Sequence, residues 1–565
     1  MNSLDKLTHL TPSTEILTAD ESLLIAPFFT NADRSVVAIK NLPEAVKGAL
    51  FSRYSRSSKG VRRLFLDEFY AQHDLGIDVQ TIQSPSTSTA SNADAFYRRV
   101  LSDYGDDSVG ELGGAHLACQ EISQIAARVI EDGRVGISYL EKSSRYVPFD
   151  DRVNGQFRYY RPRRILESRF ADEYVATMDG LFEAYSKHLP MMMERIAART
   201  PIESLEFENA LTGETARFEN IRDDDFRKSA EFAYRQSVRA RAFDALRCFL
   251  PMATLTNVGV WGNGRALEYL LTKAFSYPLD EVQTIALAAY HELDQVIGAF
   301  VRRANDERGK TYQAFLNDMR TTQRALAEKF LPLRTSTPQA KVTLVRYDVD
   351  AMDQVVASIL YPGSNAPKQE ILARVRQMNA VEKMGVVRAY IGERQNRRHK
   401  PGRAFERAVY EFDLALNIGE YRDLQRHRIV SPDRQMFTTL LGFEINDDVS
   451  AVPEIRDDYA RHMERAAKLY TSLADEMLFE AQYVVPFGYR VRYNVQMNLR
   501  EAYHWIELRS QPQGHPDYRR TSQEMFRAVQ VVHPQLIEAM QFVNLEPDVP
   551  IGRLRAEMRK ASKSK

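Results

Sequence analysis

Three side chains able to bind an anion stand together at Arg426-His427-Arg428, with Arg422 just before them. Arginine presents a planar fork of donors that grips phosphate oxygens in pairs, so this triplet at a helix-to-loop junction suits a diphosphate. The other reading of the same residues is a solvated basic helix face. Glu141, Ser143 and Arg145, within EKSSRY, put a carboxylate, a hydroxyl and a guanidinium on a predicted turn. That set suits either a ligand contact or an ordinary salt-bridged loop. Arg509 follows Ala502, Trp505 and Ile506 at helical spacing, which projects it from the apolar stripe of its helix. A cation there needs a partner, either an internal carboxylate or a substrate group. No Walker loop, GxGxxG, HExxH or GxSxG stands in a suitable context. Only Cys119 and Cys248 are present, without a CxxC, so no disulfide framework, thiolate zinc site or other metal site is expected.

The elements that must position these residues repeat along the chain. Pro251, Asn263 and Arg265 have the same spacing as Pro486, Asn498 and Arg500, at an offset of 235 residues. Each Arg opens a segment with apolar residues at helical spacing: Leu267, Leu270 and Leu271 in one, Ala502, Trp505 and Ile506 in the other. Upstream, residues 106–146 pair with 402–440, with Glu111 opposite Glu406. In the later segment Phe412, Leu414, Leu416 and Ile418 alternate with polar or small residues, as in a strand, which Gly419 breaks; EYRDLQRHR then reads as a short helix. The offset there is larger by about 60, which a long insertion in the first copy, residues 151–240, explains. The boundary falls in FLPLRTSTPQAKVT (330–343), where Pro, Ser and Thr cluster. A strand and a helix are predicted to open each half, in KVTLVRYDVDAMDQVVASILYP and in SVVAIKNLPEAVKGALFSRYSR. The expected organisation is two similar α/β halves, 1–330 and 331–565, with the basic tail 553–565 frayed into solvent.

Composition narrows the function class. Lys plus Arg and Asp plus Glu number 76 each among 565 residues, so the net charge is zero. A neutral chain argues against nucleic-acid binding, whose affinity comes mainly from basic excess. One local basic pocket for a phosphorylated metabolite remains compatible with it. No apolar run reaches the roughly 18 residues of a membrane span, and the start lacks the order of a secretion signal. A cytoplasmic protein without membrane or nucleic-acid partners is expected.

The segment GRAFERAVYEFDLALNIGEYRDLQRHRIVS resembles the signature region of flavin-dependent thymidylate synthases (ThyX), in which RHR is followed after seven residues by Ser, flanked by Glu and Arg. The Pro–Asn–Arg spacing in both halves and the later Arg509 add to the resemblance. It implies an α/β (α+β) fold made of two tandem ThyX-like domains, each a sheet packed with helices. By resemblance, FAD is held by Arg426, His427 and Arg428, together with Glu406, Asn498 and Arg500. A nucleotide, dUMP or a related pyrimidine nucleotide, is bound by Glu141, Ser143, Arg145, Arg247 and Arg509, with Arg509 catalytic at the pyrimidine. The implied reaction is reductive methylation of dUMP, with methylenetetrahydrofolate and NADPH as cosubstrates. The family assembles as a homotetramer, so a homodimer forming a four-domain assembly is expected here.

The halves depart from the pattern in complementary ways. The second carries RHR, but Arg434, Met436 and Thr438 stand where the family has Glu, Ser and Arg, and Gln482 stands opposite Arg247. The first carries Glu141, Ser143, Arg145 and Arg247, but has Gly133-Arg134-Val135 at RHR and Ala274 opposite Arg509. Either the halves pool their residues into fewer, asymmetric sites, or the chain is a catalytically degenerate binder of flavin or nucleotide.

Overall fold

The computed structural model describes residues 17–33, 37–54, 59–70, 109–145, 147–209, 211–331, 340–546, 549 and 551–561. The segment 332–339, at the expected boundary, lies outside them. The elements that matter below are, in chain order, β1 (Gly114–Ser123), α1 (Gln124–Ile130), β2 (Ile137–Glu141), α2 (Ala171–Arg199), α3 (Asp224–Leu246), β3 (Leu255–Asn263) and α4 (Gly264–Phe275). There follow β4 (Val342–Tyr347), β5 (Val409–Asn417), α5 (Ile418–Leu424), β6 (Val430–Arg434), α6 (Pro453–Ala474), β7 (Arg490–Asn498), α7 (Leu499–Arg509), α8 (Pro516–Val532) and α9 (Leu554–Ala561). Among the described residues no helix is long and apolar enough to cross a membrane.

Packing divides the chain into two compact units. The first comprises residues 1–121, 129–141 and 257–333; the second comprises 122–128, 142–256 and 334–565. The first is built on a three-stranded sheet of order β1-β3-β2, with β2 antiparallel to β3. The second holds a four-stranded antiparallel sheet of order β6-β7-β5-β4. Along β5, Tyr410, Phe412, Leu414 and Leu416 are fully buried, and β7 buries Val491, Tyr493, Val495 and Met497 with the same period of two. The strand-helix opening of the second half is β4 followed by a helix at Ala351–Leu360. In the first half, an isolated bridge between Phe29 and Ile39 stands before the helix Glu44–Tyr54, and residues 34–36 of the expected strand lie outside the described ones.

The repeated Asn is a helix cap. Asn498 Oδ1 accepts from Glu501 N at 2.9 Å at the start of α7, and Asn263 Oδ1 accepts from Ala266 N at 2.9 Å at the start of α4. Each satisfies a backbone donor that the first helical turn leaves without an internal partner. The repeated Arg then pairs backwards with the aligned Glu: Arg500 with Glu406 at 3.4 Å, Arg265 with Glu111 at 2.7 Å. Asn417 plays the capping role for α5, accepting from Glu420 N at 2.9 Å. Gly419 therefore does not break the strand as expected; it lies inside α5, and the strand ends because Asn417 starts a helix.

One expectation about the remaining segments changes, that of the tail. Within 151–240, α2 and α3 are joined through a hairpin pairing Glu206–Glu208 with Thr215–Arg217. A satellite core of Phe207, Phe218, Ile221, Phe226, Ala230 and Ala233 forms there, and Met558 of α9 is buried in it. The tail is thus anchored over Leu554–Ala561 instead of frayed, because Met558 supplies apolar surface that the hairpin and α3 cannot cover alone; residues 562–565 lie outside the described ones.

The two repeated prolines meet. Pro251 and Pro486 form an antiparallel bridge within the second unit. Met252 N donates to Val485 O at 2.9 Å and Phe487 N to Leu250 O at 2.9 Å; Ala253 N donates to Tyr483 O at 2.9 Å and Gly488 N to Cys248 O at 3.1 Å. Shifting one copy by 235 residues converts each bond into its partner. This reciprocity is what a two-fold contact between equivalent segments produces.

Gly488 in this ladder has no room for a side chain: a Cβ would lie 1.7 Å from the Tyr459 hydroxyl, which itself donates to Glu444 O at 3.0 Å. Gly488→Ala is expected to destabilise the second unit by about 1–3 kcal/mol through overpacking, read as a lowered urea midpoint. An unchanged midpoint would mean that the Tyr459 contact is not sterically closed.

Candidate functional site

The ladder at Pro251 sets the position of Arg247, four residues earlier. Ile418 N and Gly419 N donate to Tyr489 O and Phe487 O, which docks the start of α5 on the same ladder. Arg247 then reaches α5 from the side: its Nη2 donates to Gly419 O at 2.9 Å and pairs with Asp423 Oδ2 at 3.2 Å. The Arg247 side chain is buried, so the carboxylate and the carbonyl replace the water it has lost.

Asp423 is the centre of a charge cluster. Burial pushes its pKa up. The guanidinium of Arg247, followed in effect by Arg145, Arg426 and Arg509, more than reverses this and holds it well below the usual carboxylate range. Two of these arginines come from before residue 330 and two from after it. Arg145 is itself held by Asp244 of α3, with Nε at 2.8 Å from Oδ1 and Nη2 at 2.6 Å from Oδ2, and its Nη1 donates to the Tyr518 hydroxyl at 3.3 Å. Burial raises the Asp244 pKa as well, and Arg145, His515 and Arg247 bring it below its ordinary value. Ser143 Oγ accepts from Arg145 N at 3.3 Å, which shapes the turn. Next to it, Ser144 Oγ accepts from Arg422 Nη1 at 3.4 Å.

The RHR triplet lies just past the end of α5, where Arg426 and Arg428 are exposed and His427 is buried between them. His427 stacks on Trp505 with ring centroids 4.1 Å apart and planes 23° apart. Its Nδ1 lies 2.8 Å from Glu501 Oε1, and Arg509 Nε donates to its Nε2 at 3.0 Å. Arg509 also lies over the Tyr518 ring at 5.4 Å. The direct partner of Arg509 is therefore an imidazole nitrogen, with the Asp423 carboxylate acting on it through space. Burial pushes the Glu501 carboxyl up to about 7, against the pull of Lys400, Arg500 and Arg509. Burial, then Lys400, Arg397 and Arg509, pushes His504 down to about 4. His427, Glu501 and His504 bring ligand atoms within 4.8 Å of one another. The surrounding cations and the donation from Arg509 make that cluster a poor host for a dication.

The remaining residues singled out in the sequence are spread along α7 and into the first unit. Arg500 Nε donates to Pro401 O at 2.8 Å and its Nη1 to Glu406 Oε1 at 3.4 Å. Glu406 lines a cleft of about 610 Å³ with Tyr361, Lys368, Tyr390, Arg403 and Arg407. That volume and its cationic, aromatic lining suit one part of a nucleotide-type ligand. Asn498 spends its Oδ1 on the cap of α7. Glu141 is buried at the end of β2 in the first unit. Both cysteines are unsuited to nucleophilic work: burial pushes Cys248 up to about 12 and Cys119 up to about 11.

Sequence reasoning missed Asp423, Asp244, Glu501 and Tyr518. A signal existed for three of them: Asp423 precedes Arg426 by three positions, Asp244 precedes Arg247 by three, and Glu501 and Arg509 are eight apart on one helix face. Nothing in the local sequence marks Tyr518.

Against known proteins, the family model Thy1, described as thymidylate synthase complementing protein, matches in two segments, residues 67–297 and 343–535. A UPF0159 protein of Chlamydia muridarum is 39% identical over 539 residues, covering 95% of this chain and 97% of that one. UPF0159 proteins of Chlamydia pneumoniae and Thermoplasma acidophilum are 38% and 36% identical, over 97% and 92% of this chain and 98% and 99% of theirs. Among solved structures, the flavin-dependent thymidylate synthase ThyX of Helicobacter pylori, complexed with FAD and dUMP, aligns at 16% identity and TM-score 0.27, covering 36% of this chain and 99% of its own. The UMP/dUMP methylase PolB of Streptomyces cacaoi, bound with 5-Br dUMP, aligns at 19% identity and TM-score 0.28, covering 35% and 93%.

Glu501 makes a pH-dependent contribution of definite sign. The folded carboxyl, at about 7, binds a proton that the unfolded chain releases near 4.5. Stability from this group is complete below pH 4.5 and is lost as pH rises to 7. Glu501→Gln removes that titration. The melting temperature of the variant minus that of the wild type should therefore rise between pH 4.5 and 7 and level off above. The limit is on the order of 3 kcal/mol. A difference independent of pH across that window would show that Glu501 is ionised throughout.

Proposed function

Because the chain belongs to the Thy1 family of thymidylate synthase complementing proteins, we propose that it methylates dUMP to dTMP reductively. In the overall balance, methylenetetrahydrofolate supplies the carbon and NADPH the hydride that brings it to a methyl group. Tetrahydrofolate and NADP⁺ are released. FAD, when bound, supplies the redox relay between NADPH and the one-carbon unit.

The observation that supports this reading is the set of arginines that act on Asp423, with Arg247 paired to it at 3.2 Å and Arg145, Arg426 and Arg509 acting through space. A nucleotide phosphate is the natural anion for such a set, since arginine forks bind it in pairs. Ser143 adds a hydroxyl beside Arg145. Arg509 is assigned to the pyrimidine, where a cation stabilises the charge that develops in the transition state. Arg426 and Arg428 are assigned to the flavin diphosphate. Arg500 and Glu406 are assigned to the far part of the cofactor at the 610 Å³ cleft. Nine residues of helix separate Arg500 from Arg509, about 14 Å, a span that an extended dinucleotide covers. In this reading 1–330 and 331–565 are diverged copies that pool their residues into asymmetric sites. Two such cytoplasmic chains form a homodimer of four family-type domains.

One feature favours the second reading, a binder without synthase activity. Arg145 and Arg247 are already neutralised by Asp244 and Asp423. A ligand phosphate must compete with two carboxylates or draw on Arg426 and Arg509 instead.

The purified protein should be yellow, or take up FAD with visible absorption, and Arg428→Glu should abolish uptake without changing the fold. The wild type should restore thymidine-free growth to a cell lacking thymidylate synthase, whereas Arg509→Ala and Ser143→Ala should not. A soluble, flavin-loaded wild type that fails to rescue leaves the binder reading for dUMP. Absence of flavin at saturating FAD removes the cofactor assignment altogether.

A further inference from the structure

Glu501, Trp505 and Arg509 lie at i, i+4 and i+8 on α7 and so form a single stripe. The imidazole of His427 is laid on the indole in the middle of that stripe, with one ring nitrogen toward each charged end. The chemistry of the ends fixes the proton. Arg509 Nε can only donate, so His427 Nε2 carries no hydrogen; the ring proton is therefore on Nδ1 and points at Glu501 Oε1. A protonated imidazolium would set N–H against N–H at 3.0 Å. His427 is thus closed to phosphate on both sides, unlike the exposed arginines that flank it.

We infer that Glu501 and His427 form a positioning relay for Arg509: the carboxyl holds the imidazole in its Nδ1–H tautomer, and the bare Nε2 fixes the guanidinium by its Nε. Among the described residues no hydrogen bond occupies the Arg509 Nη groups, so the edge facing away from the imidazole is left for a ligand. The relay divides the RHR triplet by task, with the arginines binding anions and the histidine orienting an arginine 82 residues away. The groups facing the relay are Lys400, Arg500, His504 and Arg509; burial of the ring, then Arg509, His504 and Lys400, favour a neutral imidazole. The inference rests on the nucleotide reading only in assigning Arg509 a ligand.

Two measurements separate the relay from that reading. Long-range ¹H–¹⁵N spectra of the full-length protein with ¹⁵N-labelled histidine should show His427, identified by its loss in His427→Asn, as the Nδ1–H tautomer from pH 6 to 8. An Nε2–H tautomer, or protonation within that range, overturns the relay whatever the ligand. Calorimetric binding of dUMP to flavin-loaded protein then tests the consequence. His427→Gln keeps an acceptor near the Nε2 position and should bind within about threefold of the wild type. His427→Asn keeps only a donor toward Glu501 and should lose about tenfold or more, as Arg509→Ala does. Equal losses in the Gln and Asn variants would reduce His427 to packing on Trp505 and overturn the positioning role. A wild type that binds no dUMP refutes the nucleotide reading, and the tautomer then decides the relay alone.

Discussion

Four reciprocal backbone hydrogen bonds around Pro251 and Pro486 hold the second unit's arrangement in place. They join equivalent segments of a repeated sequence, so the chain makes with itself the contact that two identical subunits make across a two-fold axis. The docking of α5 depends on this ladder through Phe487 O and Tyr489 O, and the approach of Arg247 depends on both. A covalent link between the copies removes the requirement that each serve as its own partner. Equivalent positions are then free to diverge.

They have diverged. Gln482, opposite Arg247, is satisfied by backbone: its Oε1 accepts from Phe437 N at 3.2 Å and its Nε2 donates to Phe479 O at 3.2 Å. Arg434, opposite Glu141, lies over the Phe437 ring at 4.0 Å and donates to Gln435 O at 2.6 Å. Those positions now pack and cap, while Arg145 and Arg247 in the other copy keep charges that two aspartates neutralise. The asymmetry is energetic: a buried guanidinium without an anion is costly. A position that carries no such anion is therefore better filled, as at Gln482, by a neutral side chain whose donor and acceptor both meet backbone.

Electrostatics ties the site to the fold. Asp423 lies in the last turn of α5, Asp244 near the end of α3 and Glu501 in the first turn of α7. Each is anchored to a regular element on one side and to a side chain distant in sequence on the other. The side chains they hold, Arg247, Arg145 and His427, are consequently anchored to helices, which limits the reorganisation a ligand would demand.

The repeat was legible in the sequence, because the signals that carry it are local. Asparagine caps and period-two burial act within a few residues, and the Pro–Asn–Arg spacing showed where each strand turns into a helix. The pairing of Glu406 with Arg500 and of Glu111 with Arg265 follows the alignment of the copies. The misreadings were also local. Gly419 looked like a breaker because the cap at Asn417 is visible only once Glu420 N is seen to donate to it. The tail looked solvated because the apolar cluster that buries Met558 lies more than 300 residues away. Which residues share a cluster was decided only by tertiary structure. Arg247 and Asp423 are 176 residues apart, Arg145 and Asp244 are 99 apart, and His427 meets Glu501 across 74. Residue type fixed that each cation needed a partner; which partner it found depended on a backbone ladder that no local pattern encodes.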